Sequence, residues 1–438
     1  MNMGFTEILL LTYGLTVILI FILKPRQGLL LFFSTKFTVD IFWDQPIVAG
    51  FNILKIMGVV FPLLCIVYFF IHSPPNISQR FSKLLAGIFM VNIMAACWGY
   101  LNSTFIFFPL PHNPITIQKI IDWNFRFFNM ASAFLIIPLI FKDRYDRIVF
   151  LRSFLISTIV PALISCYQIS QVSIDRMLSG LTEPYSVSLF DRINAAYHDA
   201  GTLSTVIFTA LILSVALFFL EKSKSIKVWM AVYSILCSMI LYFTFSRTFW
   251  ISITLFLLIF FWMLKRYRSM SLVAITAVII IAAVPLTLKR FEREIFMLNN
   301  PEQVTRQNEL QKIGSGRIWL WNDARKHYLD LDLISKLIGS GGAFGSHNQY
   351  IAWLLRTGLL GLVMWSLFLY YVGIFLWRGY KNQIPENRIL AVFSFVLFCT
   401  ITGLTNMATQ PWDNVTFTYF FWGLMALQIQ AGTLNENQ

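Results

Sequence analysis

Long apolar runs separated by short polar breaks make up most of the chain. Twelve of them, at about 5–23, 50–72, 81–101, 123–141, 149–170, 203–220, 228–246, 249–264, 270–288, 349–377, 389–407 and 411–429, are read as membrane spans able to cross roughly 30 Å of hydrocarbon. A thirteenth run, 27–43, carries Lys36 and Asp40 and is closed by Asp44. Ionised groups at the centre of a bilayer are costly, so this run is expected to dip into the membrane or lie flat. That leaves twelve spans with both ends of the chain inside. If the run crosses, there are thirteen spans, the N-terminus is outside, and Lys24 and Arg26 fall on the inner side. The pattern predicts an all-α polytopic integral membrane protein, with residues 1–438 as one transmembrane domain. The first run lacks a basic region before it and a small-residue cleavage site after it, so it is expected to be retained.

Composition agrees with this pattern. Apolar residues make up 57% and charged residues 13% of the 438, about half the charged share of a soluble domain. The net charge of +13 would point to nucleic acid if it were spread over a surface. Instead Lys and Arg gather at the ends of apolar runs, as at Lys222, Lys224 and Lys227, at Lys265, Arg266 and Arg268, and at Arg378, Lys381 and Arg388. This is the positive-inside bias of a multi-span protein, with lipid rather than nucleic acid around it. The five Cys all sit inside apolar runs with no metal-ligand or disulfide spacing, and no cofactor motif is read in the chain.

The basic clusters place the loops after 141 and at 222–227, 265–268 and 378–388 in the cytoplasm. Alternation then puts 102–122, 171–202, 289–348 and 408–410 on the far side, with 171–202 and 289–348 as its two larger functional loops. Residues 228–264 sharpen the assignment. As one helix they would be about 55 Å long, more than a bilayer spans, yet both flanks are basic. The stretch must therefore cross twice, and its only polar break, Thr244-Phe245-Ser246-Arg247-Thr248, places Arg247 at an outer hairpin tip. Such an arginine either snorkels to headgroups or is held against an anionic ligand.

The smaller outer loop carries Arg192 and His198 near the mouth of the next span, where they read more as solvated surface residues than as catalytic ones. In the larger loop Ser315 is placed to cap a helix opening with Gly316 and Arg317. Trp321, Ala324, Tyr328, Leu331 and Ile338 form one apolar stripe, as expected of a helix lying in the membrane interface. The glycine-rich run 339–346 follows, and then His347, Asn348 and Gln349 open the next span. The run lacks the terminal Gly-Lys-Ser/Thr of a phosphate loop, so it is either a flexible link or a place where backbone approaches a ligand closely. Arg247, Arg317 and His347 thus converge on one face. Two guanidiniums suit the oxygens of a phosphate-bearing substrate, and an imidazole suits removal of a hydroxyl proton.

The order of these pieces resembles the O-antigen ligase/polymerase superfamily of bacterial envelopes. It comprises Arg192 in an outer loop, the Thr-Phe-Ser-Arg break, Ser315-Gly316-Arg317-x-x-x-Trp321, the glycine run, His347-Asn348-x-Tyr350, and Arg356-Thr357-Gly358-Leu359-Leu360-Gly361. The resemblance covers roughly 170–375. It implies a metal-independent inverting glycosyltransferase of the bacterial inner membrane, related in architecture to cell-wall polymerases. Its donor would be an undecaprenyl-diphosphate-linked oligosaccharide. The acceptor would be either a second lipid-linked repeat unit or lipid A-core, and a chain-length regulator protein is an implied partner. Carried over to this chain, Arg317 and Arg247 would bind the diphosphate and His347 would act as base. Asn348, Gln349, Tyr350 and Trp321 would contact sugar or orient the histidine. The family often follows the earlier arginine with Asn-Pro-Asn, whereas here His198-Asp199-Ala200-Gly201 occupies that region, which leaves the role of Arg192 open.

Rival readings are weaker on the same residues. A lipid-linked oligosaccharide flippase would need charge along a midplane cavity, where the spans offer chiefly Lys36 and Asp40. A metal-dependent transferase would need Asp330 and Asp332 as ligands, two positions apart on a helix and pointing different ways. A non-catalytic scaffold leaves the arginines and the histidine without a task. Between polymerase and ligase, polymerase is preferred only because repeat-unit polymerases are numerous and diverse.

Overall fold

The computed structural model describes residues 4–42, 44–48, 51–72, 79–105, 117–171, 193–197, 200–244, 246–283, 317–341, 348–381, 387–403 and 415–436. Helices cover nearly all of them: α1 (Phe5–Leu23), α2 (Pro25–Val39), α3 (Ile53–His72), α4 (Gln79–Phe105), α5 (Ile117–Ile140), α6 (Arg144–Ser157), α7 (Ile159–Gln171), α8 (Ala200–Leu220), α9 (Lys224–Phe243), α10 (Arg247–Met263), α11 (Tyr267–Ala283), α12 (Arg317–Asp330), α13 (Leu333–Ile338), α14 (Gln349–Lys381), α15 (Arg388–Gly403) and α16 (Val415–Glu436). One small antiparallel ribbon, β1 (Pro46–Val48) with β2 (Phe51–Asn52), departs from a purely helical chain. Among the described residues, seven helices are long and apolar enough to cross a membrane, and three shorter apolar helices accompany them. Each of the twelve expected runs overlaps a helix or, for 149–170, the pair α6–α7 broken at Thr158. Most of the two large outer loops, 172–192 and 284–316, lies outside the described residues.

Uniformly apolar helices sort by depth. The hydrophobic stretch of α8 is 83% buried and that of α9 only 17%, so α8 is interior while α9 presents Trp229, Val232 and Ile235 outward, as a lipid-facing helix should. The C-terminal α16 is also interior. Its Tyr419 packs against Phe32 and Phe61, and its Trp422 against Phe134, Trp365 and Phe368. With so many aromatic rings (16% of the chain is Phe, Trp or Tyr) the interior is filled largely by edge and stacked ring contacts.

The uncertain run 27–43 forms α2, which folds straight back along α1. Gly28 lies so close that a Cβ there would sit 2.4 Å from the Phe21 backbone, and the Tyr13 and Thr35 hydroxyls meet at 2.6 Å. Lys36 and Asp40, the groups that argued against a buried run, are buried together as an ion pair one helical turn apart. Mutual neutralisation is what admits them. At 15 residues α2 rises about 22 Å, short of a full hydrocarbon thickness.

Polar contacts gather the basic clusters on one face. Arg26 at the start of α2 pairs with Asp146 of α6. Arg152 pairs with Glu221 at the end of α8, and Arg266 before α11 lies over the Phe219 ring, 4.4 Å from its centroid. The turns at 24–26, 142–147, 221–224 and 264–266 therefore share one end of the bundle. The start of α10 and the start of α14 lie at the other end.

At that other end the chain is locked by backbone. Helix α14 is broken at Gly358, where φ is +64° and ψ is −168°. The break frees carbonyls of the preceding turn. The Ser340 and Gly341 N–H groups donate to the Leu355 and Arg356 carbonyls at 3.1 and 3.0 Å, and the Ser340 hydroxyl also donates to Leu355 at 3.0 Å. Only glycine allows the approach. A Cβ on Gly339 would fall 1.9 Å from the Arg356 carbonyl oxygen, and one on Gly358 would fall 2.3 Å from that of Leu337. Residues 339–341 are thus docked on α14 rather than serving as a loose link. On the other side α4 supports them, with Trp98 donating to the Ser335 hydroxyl at 3.0 Å. Across the break Trp353 and Trp365 stack at 4.9 Å, although a straight helix would hold their backbones about 18 Å apart.

Gly358→Ala is expected to destabilise the protein by more than the order of 1–3 kcal/mol that a glycine-only backbone region implies, because the new methyl also overlaps Leu337. Gly403→Ala, with open space at its Cβ, is the control, and thermal unfolding in detergent reads both. In a background lacking the native cysteines, Lys24→Cys, Lys142→Cys and Lys224→Cys are expected to react with an impermeant thiol reagent from one side of the membrane and Lys326→Cys from the other. Labelling of positions 24 and 326 from the same side would refute the shared basic face.

Candidate active site

The face opposite the basic turns holds the beginnings of α10 and α14 together with the ends of α9 and α15. Arg247 is the first residue of α10, with Ser246 before it in extended conformation, and Arg317 is the first residue of α12. Asn348 caps α14, its Oδ1 accepting from the Tyr350 and Ile351 N–H groups at 2.9 and 3.3 Å. Each helix start leaves N–H groups unsatisfied and carries the positive end of the helix dipole. An arginine at the first position of two of these helices adds full charge to partial charge. Arg192 and His347 lie outside the described residues, and the side chains of Arg247 and Arg317 are likewise not described.

Helix register brings the start of α10 level with the start of α14. Phe256 of α10 packs against Phe393 of the antiparallel α15 at 5.7 Å. Nine residues further along each helix, Arg247 stands at the height of Thr402. The Thr402 carbonyl accepts from both Gln349 Nε2 at 3.1 Å and the Tyr350 hydroxyl at 2.8 Å. The C-terminal end of α15 is therefore the post to which the first turn of α14 is tied, two residues beyond His347, and Arg247 begins its helix at the same height. Gln349 is buried, and among the described residues its Oε1 has no partner. Asn348, Gln349 and Tyr350 thus first of all fix the start of α14.

The expected interfacial helix is two helices. Chain direction changes at Leu331–Asp332, and Asp332 caps α13 by accepting from the Ser335 N–H at 3.1 Å. Burial works against ionisation of Asp332, but the Ser335 hydroxyl and backbone N–H groups outweigh it and hold the carboxyl below its ordinary range. Asp330 and Asp332 accordingly sit on either side of a helix boundary. In the stripe, Ala324 is buried and Trp321 and Tyr328 are half-buried. Leu329, Leu333, Ile334 and Leu337 are exposed, which suits a segment resting in the headgroup boundary.

Two further cations belong to this half of the bundle. Arg356, seven residues into α14, is buried, and Arg126 of α5 is near enough for the two guanidiniums to repel. A charged residue inside an apolar span is itself the signal that would have drawn attention to both.

Residues 232–366 match the family model described as O-antigen ligase. Among curated proteins none matches the chain. The matched segment runs from α9 through the Arg247 turn, α12, α13, the glycine dock and the break at Gly358, so it contains the whole of the helix-start face described above except α15. The match covers about a third of the chain, and over that segment the helical protein is similar to the glycosyltransferase-like O-antigen ligase/polymerase superfamily.

Proposed function

We propose that the protein polymerises undecaprenyl-diphosphate-linked oligosaccharide repeat units at the periplasmic face of the bacterial inner membrane, with the active site in the 289–348 loop and 171–202 as a smaller loop beside it. The observation that carries this reading is that Arg247 and Asn348–Gln349 begin helices at one end of the bundle, both within the segment that matches the family model. A diphosphate is the ligand such a face favours. Helix N–H groups and guanidiniums both donate to phosphoryl oxygens, and both stabilise the charge that grows as the sugar–phosphate bond breaks. Arg356 and Arg126 add positive potential from inside the bundle.

In this mechanism Arg317 and Arg247 grip the diphosphate of the donor. His347 takes the proton from the acceptor hydroxyl, whose oxygen attacks the anomeric carbon on the face opposite the departing diphosphate. The anomeric bond is inverted, and undecaprenyl diphosphate leaves with the bonding electrons. No metal takes part. Asn348 and Gln349 hold the helix start that carries the histidine, and Tyr350 and Trp321 offer surfaces to the sugar. Transfer to lipid A-core, the ligase reading, is the second candidate, because the matched family carries that description.

His347→Ala is expected to lower kcat by about 10²–10⁴-fold, the range of a lost general base, in a purified assay with lipid-linked donor. Normal turnover in that variant would remove the base assignment. Arg317→Ala is expected to weaken donor binding about 10- to 100-fold, as for loss of charge-assisted hydrogen bonds of roughly 1.5–3 kcal/mol, and an unchanged donor affinity would remove the diphosphate assignment. The surface glycan of a deletion strain separates the acceptors. Core bearing a single repeat unit indicates a polymerase, whereas full-length chains retained on undecaprenyl diphosphate indicate a ligase.

A further inference from the structure

At the basic end of the bundle Arg147 lies one turn inside α6. It is 6% exposed, yet among the described residues its Nε and Nη1 have no hydrogen-bond acceptor. The carboxylates nearest to it in the chain are engaged elsewhere. Asp146 pairs with Arg26 through Oδ1 and accepts from the Lys142 N–H through Oδ2 at 3.0 Å. Asp143 caps the helix, its Oδ1 accepting from the Asp146 N–H at 2.7 Å and its carbonyl from the Arg147 N–H at 3.2 Å. The start of α6 is therefore closed by its own residues, and what is left over is a guanidinium rather than a bare helix end. Arg144, one turn before, adds a like charge near enough to repel it.

Helix packing fixes where that guanidinium goes. Arg147 shares a helix face with Phe150 and Phe154, three and seven residues on. Both rings are buried and pack on Phe33 of α2 and Phe420 of α16. The Cα–Cβ bonds of a helix tilt toward its N-terminus, and the N-terminus of α6 is at the basic end, so the side chain leans out of this aromatic core toward the headgroup layer. Helix α16 runs antiparallel to α6, since Phe420 packs on Phe154 while a Cβ on Gly423 would sit 3.1 Å from Phe150 Cζ. Seven residues from that contact along each helix bring Arg147 level with Leu427, next to Gln428. Gln428 is 3% exposed, and among the described residues its Nε2 also has no acceptor. At this depth the bundle buries donors that its own acceptors do not meet.

We propose that the start of α6 binds the phosphate group of an anionic phospholipid, with Arg147 as the buried ligand and Arg144 as the outer one. A buried guanidinium without a counter-charge is costly. Water offers it lone pairs but no charge, and Arg144 enlarges the deficit. A phosphate supplies both, because its oxygens match the fork of guanidinium N–H groups. The turns around it carry Lys142, Lys222 and Lys224, a basic surface that draws anionic headgroups. Depth favours a lipid over a soluble phosphate as the source. One turn inside a membrane helix is roughly 5 Å from its start, within the headgroup layer that flanks the hydrocarbon. Helix α6 lies outside the segment that matches the family model, and the inference does not depend on the glycosyl-transfer reading.

In full-length protein purified in detergent and stripped of lipid, saturating phosphatidylglycerol is expected to raise the unfolding temperature by about 5 °C. Phosphatidylcholine, which has no net charge, and inorganic phosphate at the same concentration are each expected to raise it by less than about 1 °C. Equal protection by inorganic phosphate overturns the lipid as the source, and equal protection by phosphatidylcholine overturns the anionic site. Arg147→Met keeps the bulk of the side chain and removes the cation. Without lipid this variant is expected to unfold no lower than the parent, because an uncompensated charge is gone, and to lose the phosphatidylglycerol shift. A shift that survives in Arg147→Met, or a variant that unfolds lower by the same amount with and without lipid, overturns the proposal. Native mass spectrometry of the unaltered chain needs no variant. Retention of phosphatidylglycerol in preference to phosphatidylcholine is expected, and equal retention of the two refutes the site.

Discussion

Inside a membrane no water is available to satisfy a backbone N–H or C=O, and the outer half of this protein is arranged around one place where a helix nevertheless comes apart. The break at Gly358 releases carbonyls that the N–H groups of Ser340 and Gly341 take up. A loop segment thereby becomes a fixed part of the bundle, and the positions of α13, of Asn348 and of the first turn of α14 follow from it. Neither side of the contact could carry a side chain at Gly339 or Gly358 without driving a carbon into a carbonyl oxygen. Gly339, Gly341 and Gly358, which look like flexibility in the sequence, are therefore a requirement of close packing.

This lock gives the chemical face its character. Side chains on free loops would sample many positions, and a diphosphate gripped by them would have to order each one. Here Arg247 and Arg317 begin helices, and the tie of Gln349 and Tyr350 to the Thr402 carbonyl holds a third helix start in register with the end of α15. The starts of α10 and α14 are thus set in advance by backbone, each bringing the partial positive charge of a helix beginning. Preorganised positive potential of this kind suits a reaction in which negative charge develops on a leaving phosphate.

The opposite end of the bundle uses another device for a similar end. Pairs such as Arg26 with Asp146 and Arg152 with Glu221 tie the turns between spans to one another, so the basic clusters that orient the chain in the membrane also fasten it. The ion pair of Lys36 and Asp40 lies deeper. It shows how a short helix bearing two charges can be folded back among apolar neighbours without leaving either charge alone.

Much of this was legible from the chain itself. Apolar runs find their helices to the residue at α1 and within about two turns elsewhere, because a segment in hydrocarbon has to close its own backbone hydrogen bonds and does so locally. The double crossing of 228–264, with Arg247 at the turn, followed from length and flanking charge alone, and the structure has α9 and α10 meeting there. The family pattern of residues was likewise readable in order. What the sequence could not decide were the features made by partners distant along the chain. The fate of 27–43 depended on whether Asp40 would neutralise Lys36 inside the bundle, and the division of the interfacial helix depended on Asp332 turning to cap α13. The glycine run took its meaning only from the carbonyls of Leu355 and Arg356 waiting on α14. Hydrophobic length is a local quantity and can be read residue by residue, whereas the satisfaction of a buried charge or a freed carbonyl is settled only when the fold has brought its partner to it.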